Sequence, residues 1–122
     1  MEGYEILKIA AGALSSKKAV NISAIKISEL TVLSDYFLIA GGTSGTHVRA
    51  LADEVDEKLS EAGVEPLGIE GKATGWILLD YGTVVVHVFT EQARETYDLE
   101  RLWADGEKID LSDIENITEA EQ

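Results

Sequence analysis

The chain has 122 residues, 45% of them apolar, one proline, no cysteine and a formal net charge of −13. This length suits one domain with its own hydrophobic core, and the lack of cysteine excludes disulfides, thiolate metal sites and cysteine nucleophiles. A negative field of this size opposes docking onto nucleic-acid phosphates and favours approach to a basic protein surface.

The N-terminus, Met1-Glu2-Gly3-Tyr4-Glu5, lacks the basic start and long apolar run of a signal peptide, and no apolar run is long enough to cross a bilayer. We therefore expect a soluble, cytoplasmic protein with no membrane partner. Ile6, Ile9, Ala10, Ala13 and Leu14 recur at helical spacing and predict a first helix over residues 5–16. Residues 20–27 read as a strand whose alternation slips near Ala24, which points to a bulge or to irregular burial. Tyr36-Phe37-Leu38-Ile39-Ala40 is a short, continuously apolar strand of the kind covered on both faces.

Gly41-Gly42-Thr43-Ser44-Gly45-Thr46 reads as a tight loop with several candidate N-caps for the next helix. Val48, Leu51, Ala52, Val55 and Leu59 form that helix's buried stripe, and Gly63 ends it. Residues 67–69, 76–80 and 83–89 predict three further strands, the last two joined through Tyr81-Gly82. A helical region follows over 91–97 and 98–104, with a break expected near Thr96. The order describes a single α/β domain over residues 1–104, with a mixed sheet of about five strands flanked by helices. Residues 105–122 carry seven acidic side chains against Lys108 alone, a net −6, and read as a mobile acidic tail.

Backbone N–H groups at a helix N-terminus can hold a phosphate, so the loop at 41–46 is a candidate nucleotide site. It matches neither G-x-x-x-x-G-K-[ST] nor G-x-G-x-x-G. Its Gly-Ser turn is similar to that of nucleotidyltransferases, but no strand carries the carboxylate pair those enzymes use to hold metal ions. Turn and capping chemistry explains the loop. His47 falls in the first helical turn, either as an anion ligand or as an ordinary exposed residue. His87 shares a strand face with Val85 and Phe89, where a buried histidine with a hydrogen-bond partner accounts for it. Neither histidine has the neighbours of a metal centre. Alternation places Trp76, Leu78 and Asp80 on one strand face and Ile77 and Leu79 on the other. From that pattern alone Trp76 is either a core residue or an outward anchor beside a carboxylate.

Ser34-Asp35-Tyr36-Phe37-Leu38-Ile39, Gly42-Thr43-Ser44, Glu70-Gly71 and Gly75-Trp76-Ile77-Leu78-Leu79-Asp80-Tyr81-Gly82 form one ordered pattern. Val84-Val85-Val86-His87-Val88-Phe89, Arg94, Tyr97, Leu99-Glu100 and Leu102-Trp103 continue it. In order and spacing these segments resemble the ribosomal silencing factor family, also called Iojap-like. The resemblance implies an α/β fold related to nucleotidyltransferases, no catalytic activity, no cofactor and a tendency to form homodimers. It implies a translational repressor that binds the large ribosomal subunit through its fourteenth large-subunit ribosomal protein, with little direct nucleic-acid contact. Occupying that intersubunit site blocks joining of the small subunit. Carried over by position, the partner-binding residues are Trp76, Asp80, Tyr81 and Glu70, which favours the outward reading of Trp76. Asn21 and Lys26 depart from the family pattern, which often has aspartates there, and Thr96 replaces a usually apolar residue.

Overall fold

The computed structural model describes residues 1–71 and 75–112. In chain order it runs α1 (Gly3–Ser16), β1 (Val20–Lys26), β2 (Tyr36–Gly42), α2 (Gly45–Glu61), β3 (Gly68–Glu70) and β4 (Trp76–Asp80). Then follow β5 (Val84–Thr90), α3 (Glu91–Tyr97), α4 (Leu99–Leu102) and β6 (Glu107–Ile109). The strands form one sheet in the order β3-β4-β5-β2-β1-β6. β2 and β5 run parallel, and the other neighbouring pairs are antiparallel. The expected mixed α/β domain is present, with six strands among the described residues where about five were expected.

One face of the sheet carries the main core. The helical stripes Ile6, Leu7, Ala10 and Leu14 of α1 and Val48, Leu51, Val55 and Leu59 of α2 pack there on Leu38, Ala40, Ile77, Leu79, Val86 and Val88. Each fully buried aliphatic side chain contributes about 1.5–3 kcal/mol relative to exposure. The opposite face has a smaller cluster of Ile25, Ile27, Ile39 and Phe89, closed over by Ala93, Leu99 and Trp103 from the α3–α4 region. β2 lies between the two clusters, which explains its unbroken apolar run.

The bulge in β1 falls earlier than expected. Val20 pairs with Gly41 and Ser23 with Ile39, so one extra residue is accommodated ahead of Ala24. Asn21, at φ 50°, adopts the left-handed conformation within it, which asparagine tolerates better than most residues. The final helical region breaks at Asp98, also left-handed at φ 47°, and not at Thr96. Thr96 instead donates its hydroxyl to the Gln92 carbonyl and stays within the helix.

The domain does not stop at residue 104. β6 adds to the free edge of β1, pairing Ala24 with Ile109, Ile25 with Lys108 and Lys26 with Glu107, and Leu111 is buried in the main core. Gly106 permits this docking, because a Cβ there would collide with the Ile25 side chain and the Lys26 carbonyl oxygen. Backbone pairing and one apolar anchor thus hold a segment whose charge alone suggested a solvated tail. Residues 113–122, the remainder of that expected tail, lie outside the described residues.

Candidate functional site

The loop after β2 is organised by its own side chains. Ser44 Oγ accepts from the His47 N–H at 3.1 Å and caps α2. The Thr43 N–H donates to His47 Nδ1 at 2.9 Å, while His47 Nε2 lies 2.8 Å from the Lys17 carbonyl oxygen. With Nδ1 accepting, Nε2 carries the proton and donates, so the imidazole ties the start of α2 to the end of α1. Gly42 is needed for close packing, since a Cβ would come within 2.9 Å of Val48 Cγ2 and 3.0 Å of the Val48 nitrogen. The cleft in front of Thr43 and Ser44 is lined by Glu91 and Glu95. Two of the N–H groups a phosphate would need are thus already bonded, and the approach carries two carboxylates. His47 is neither an anion ligand nor an idle exposed residue, but a connector between two helices.

The second face of the sheet offers more. Residues paired across antiparallel or parallel strands share a face, so Glu70, Leu78, His87 and Ile39 form one row and Asp80, Val85, Phe37 and Ile25 the next. α3 and α4 cover the β1–β2 end of these rows through Ile25, Ile39 and Phe89. The β3–β4 end is more open: Glu70 is exposed, and Trp76, Leu78, Val85 and Asp80 are half-buried. Ile77 and Leu79 are buried on the other face, at 2% and 0% exposure, so the strand faces as its alternation requires.

Trp76 is neither a free anchor nor a core residue. Its indole stacks on Phe89 at 5.1 Å between centroids and lies 4.5 Å from the Tyr97 ring. Its Nε1–H donates to His87 Nδ1 at 3.2 Å. His87 is only 3% exposed, and its ring meets the Phe37 ring in a T-shaped contact at 4.7 Å. Burial lowers its pKa from 6.5 to about 4, so the imidazole is neutral near pH 7. Its Nε2 has no hydrogen-bond partner among the described residues.

Of the four residues expected to meet a partner, Trp76, Asp80 and Glu70 share this face, and Tyr81 does not. Tyr81 is 7% exposed within the main core beneath the helices. Burial first, then the carboxylates of Asp56 and Glu65, push its phenol pKa up. Tyr81 thus packs with the main core and not in the rows that carry Trp76, Asp80 and Glu70. Asp80 has a structural duty as well, since its Oδ1 accepts from the Gly82 N–H at 2.8 Å and shapes the β4–β5 turn. Leu78, between Trp76 and Asp80 on the open face, was not among the expected site residues. The same alternation that marks Trp76 also marks Leu78.

These features define a small α/β protein with an aromatic and apolar strip, edged by acid, on the open side of its sheet. Among the described residues no group of three His, Asp or Glu side chains is placed to hold a metal ion, and no helix is long and apolar enough to cross a membrane. Residues 2–122 match the family model described as "Ribosomal silencing factor during starvation". The chain is 41% identical over 112 residues to the "Ribosomal silencing factor RsfS" of Bacillus subtilis, covering 91% of this chain and 95% of that one. A crystal structure of a protein from Chromobacterium violaceum superposes with a TM-score of 0.83 at 43% identity, covering 90% of this chain and 92% of that one. Over 94 residues the chain is also 35% identical to the mouse "Mitochondrial assembly of ribosomal large subunit protein 1", covering 74% of this chain and 41% of that protein. The chain belongs to the ribosomal silencing factor family.

Proposed function

We propose that this protein binds the large ribosomal subunit through the open face of β3 and β4, and that its bulk on the intersubunit side blocks joining of the small subunit. The contact we assign is the fourteenth large-subunit ribosomal protein, met by Trp76 and Leu78 with Glu70 and Asp80 at their edges. The observation that carries this reading is the half-buried Trp76–Leu78 strip, which Tyr97 of α3 covers only in part, in a chain whose family is defined by silencing ribosomes. The name of the mouse relative, which refers to the large subunit, supports the choice of subunit. Repression by occlusion makes and breaks no covalent bond, so binding free energy is all it needs. About 800 Å² per partner suffices for a specific complex. The net charge of −13 favours encounter with a basic ribosomal protein and disfavours extended contact with RNA. The site of action is the cytoplasm.

Co-sedimentation with separated subunits in sucrose gradients tests this directly. The protein travels with large subunits and not small ones, and Leu78→Arg, which places a cation at the centre of the strip, weakens binding by roughly thirtyfold or more. Recovery only in the unbound fractions, at both low and moderate salt, would sink the proposal.

A further inference from the structure

Position 87 lies at the middle of β5, paired with Ile39 on one side and Leu78 on the other, in the sequence Val84-Val85-Val86-His87-Val88-Phe89. An aliphatic side chain would satisfy such a site without polar cost. Histidine is instead almost fully buried, with Nδ1 accepting from the Trp76 indole at 3.2 Å. That acceptance puts the imidazole proton on Nε2, which then points a buried donor at no acceptor among the described residues. An unsatisfied buried donor is destabilising, so the arrangement calls for a reason.

Trp76 supplies one. Ring packing is only weakly directional, so its contacts with Phe89, stacked at 26°, and with Tyr97, tilted at 45°, do not by themselves select which edge of the indole turns outward. A hydrogen bond from Nε1–H to a buried, immobile acceptor fixes which edge of the ring turns outward. We propose that His87 is a positioning residue for partner binding: its Nδ1 locks the Trp76 indole in the orientation presented at the open face of the sheet. His87 acts only through Trp76, since at 3% exposure it cannot itself touch a partner. Burial keeps the imidazole neutral, so the acceptor is available throughout the physiological range. A side chain fixed in advance spares binding the entropy of ordering it. The inference rests on the docking face proposed above, and its test separates the two.

The test compares His87→Leu, His87→Asn and Trp76→Ala in the full-length protein, by affinity for purified large subunits and by the indole N–H signal of Trp76 in NMR. Leucine keeps the volume and drops the acceptor; asparagine offers Oδ1 close to where Nδ1 sits. We expect His87→Leu to shift the Trp76 indole signal and weaken binding about tenfold, and His87→Asn to restore both to near wild type. Should His87→Leu fail to fold, His87→Phe removes the acceptor while keeping a ring and takes its place. If the acceptor-free variant binds like wild type while Trp76→Ala does not, the positioning role is wrong and the docking face stands. Equal loss in His87→Asn and His87→Leu also overturns it, because the acceptor would then not be what matters. Wild-type binding by Trp76→Ala overturns the docking face, and the positioning role with it.

Discussion

A histidine in the centre of β5 makes stability depend on pH in a definite direction. Its pKa is about 4 when folded, against 6.5 ordinarily, so between these values the unfolded chain binds a proton that the folded one does not. The neutral imidazole's share of stability is therefore complete above about pH 6.5 and is lost as pH falls towards 4. By linkage this amounts to about 2 kcal/mol between pH 7 and pH 5. Urea denaturation at the two pH values should show this loss in the wild type and a clearly smaller one in His87→Asn, which has no group titrating there. Equal losses in both would mean that His87 is not the group responsible. Trp76 has its own mixed signature. Because its ring stacks on Phe89 and packs at a tilt against Tyr97, Trp76→Ala should cost about 2–3 kcal/mol of stability as well as binding. A melt unchanged from wild type would show that the stacking contributes nothing. At this scale the sequence was readable where period two applied without interruption. It put Ile77 and Leu79 on one face and Trp76 and Leu78 on the other without saying which is buried, and the structure buries the first pair and leaves the second half-buried. Extending the same period by two residues puts Tyr81 inside, where the structure has it, whereas adjacency within a motif placed it at the surface. The Trp76–His87 bond was not legible, because it joins side chains across two strands whose register no local pattern specifies.

Among the elements, α3 and α4 depend most on a single side chain. Arg94 Nε donates to Glu100 Oε1 at 2.8 Å, Nη1 to the Val20 carbonyl at 3.1 Å and Nη2 to the Asn21 carbonyl at 2.7 Å. The guanidinium thus clasps the α3–α4 corner to the β1 bulge, and the bulge turns two carbonyl oxygens toward it. Lysine keeps the charge but cannot span three acceptors with a planar fork. Arg94→Lys should therefore cost about 1–3 kcal/mol in urea denaturation. A change below about 0.5 kcal/mol would show that the clasp is ornamental. Long amphipathic elements were legible: the stripe Val48, Leu51, Ala52, Val55 and Leu59 of α2 is buried as read. Short ones were not. β6 has three residues and no apolar alternation, and only Gly106 and the buried Leu111 mark its docking on β1. The break at Asp98 was displaced by two residues from its expected place because Asp98 itself takes up the left-handed turn.

For the molecule as a whole, one face of the sheet holds the core and the other divides into a covered aromatic cluster and an open strip. A protein acting by occlusion needs a rigid body, a docking face and a sign of charge suited to its partner. The core and net charge of −13 supply the first and last, and the strip is the face we assign. The family was legible in the sequence because its segments keep order and spacing over nearly the whole folded chain, although each is weak alone. What no segment encodes is how much of the second face α3 and α4 leave open. The most direct measurement is a subunit-joining assay, in which purified large and small subunits are mixed and their association is followed by light scattering as the protein is added. Repression by occlusion requires that joining fall in proportion to occupancy of the large subunit, that protein added to small subunits alone have no effect, and that Leu78→Arg inhibit only at roughly thirtyfold higher concentration. Undiminished joining with the large subunit saturated would contradict it.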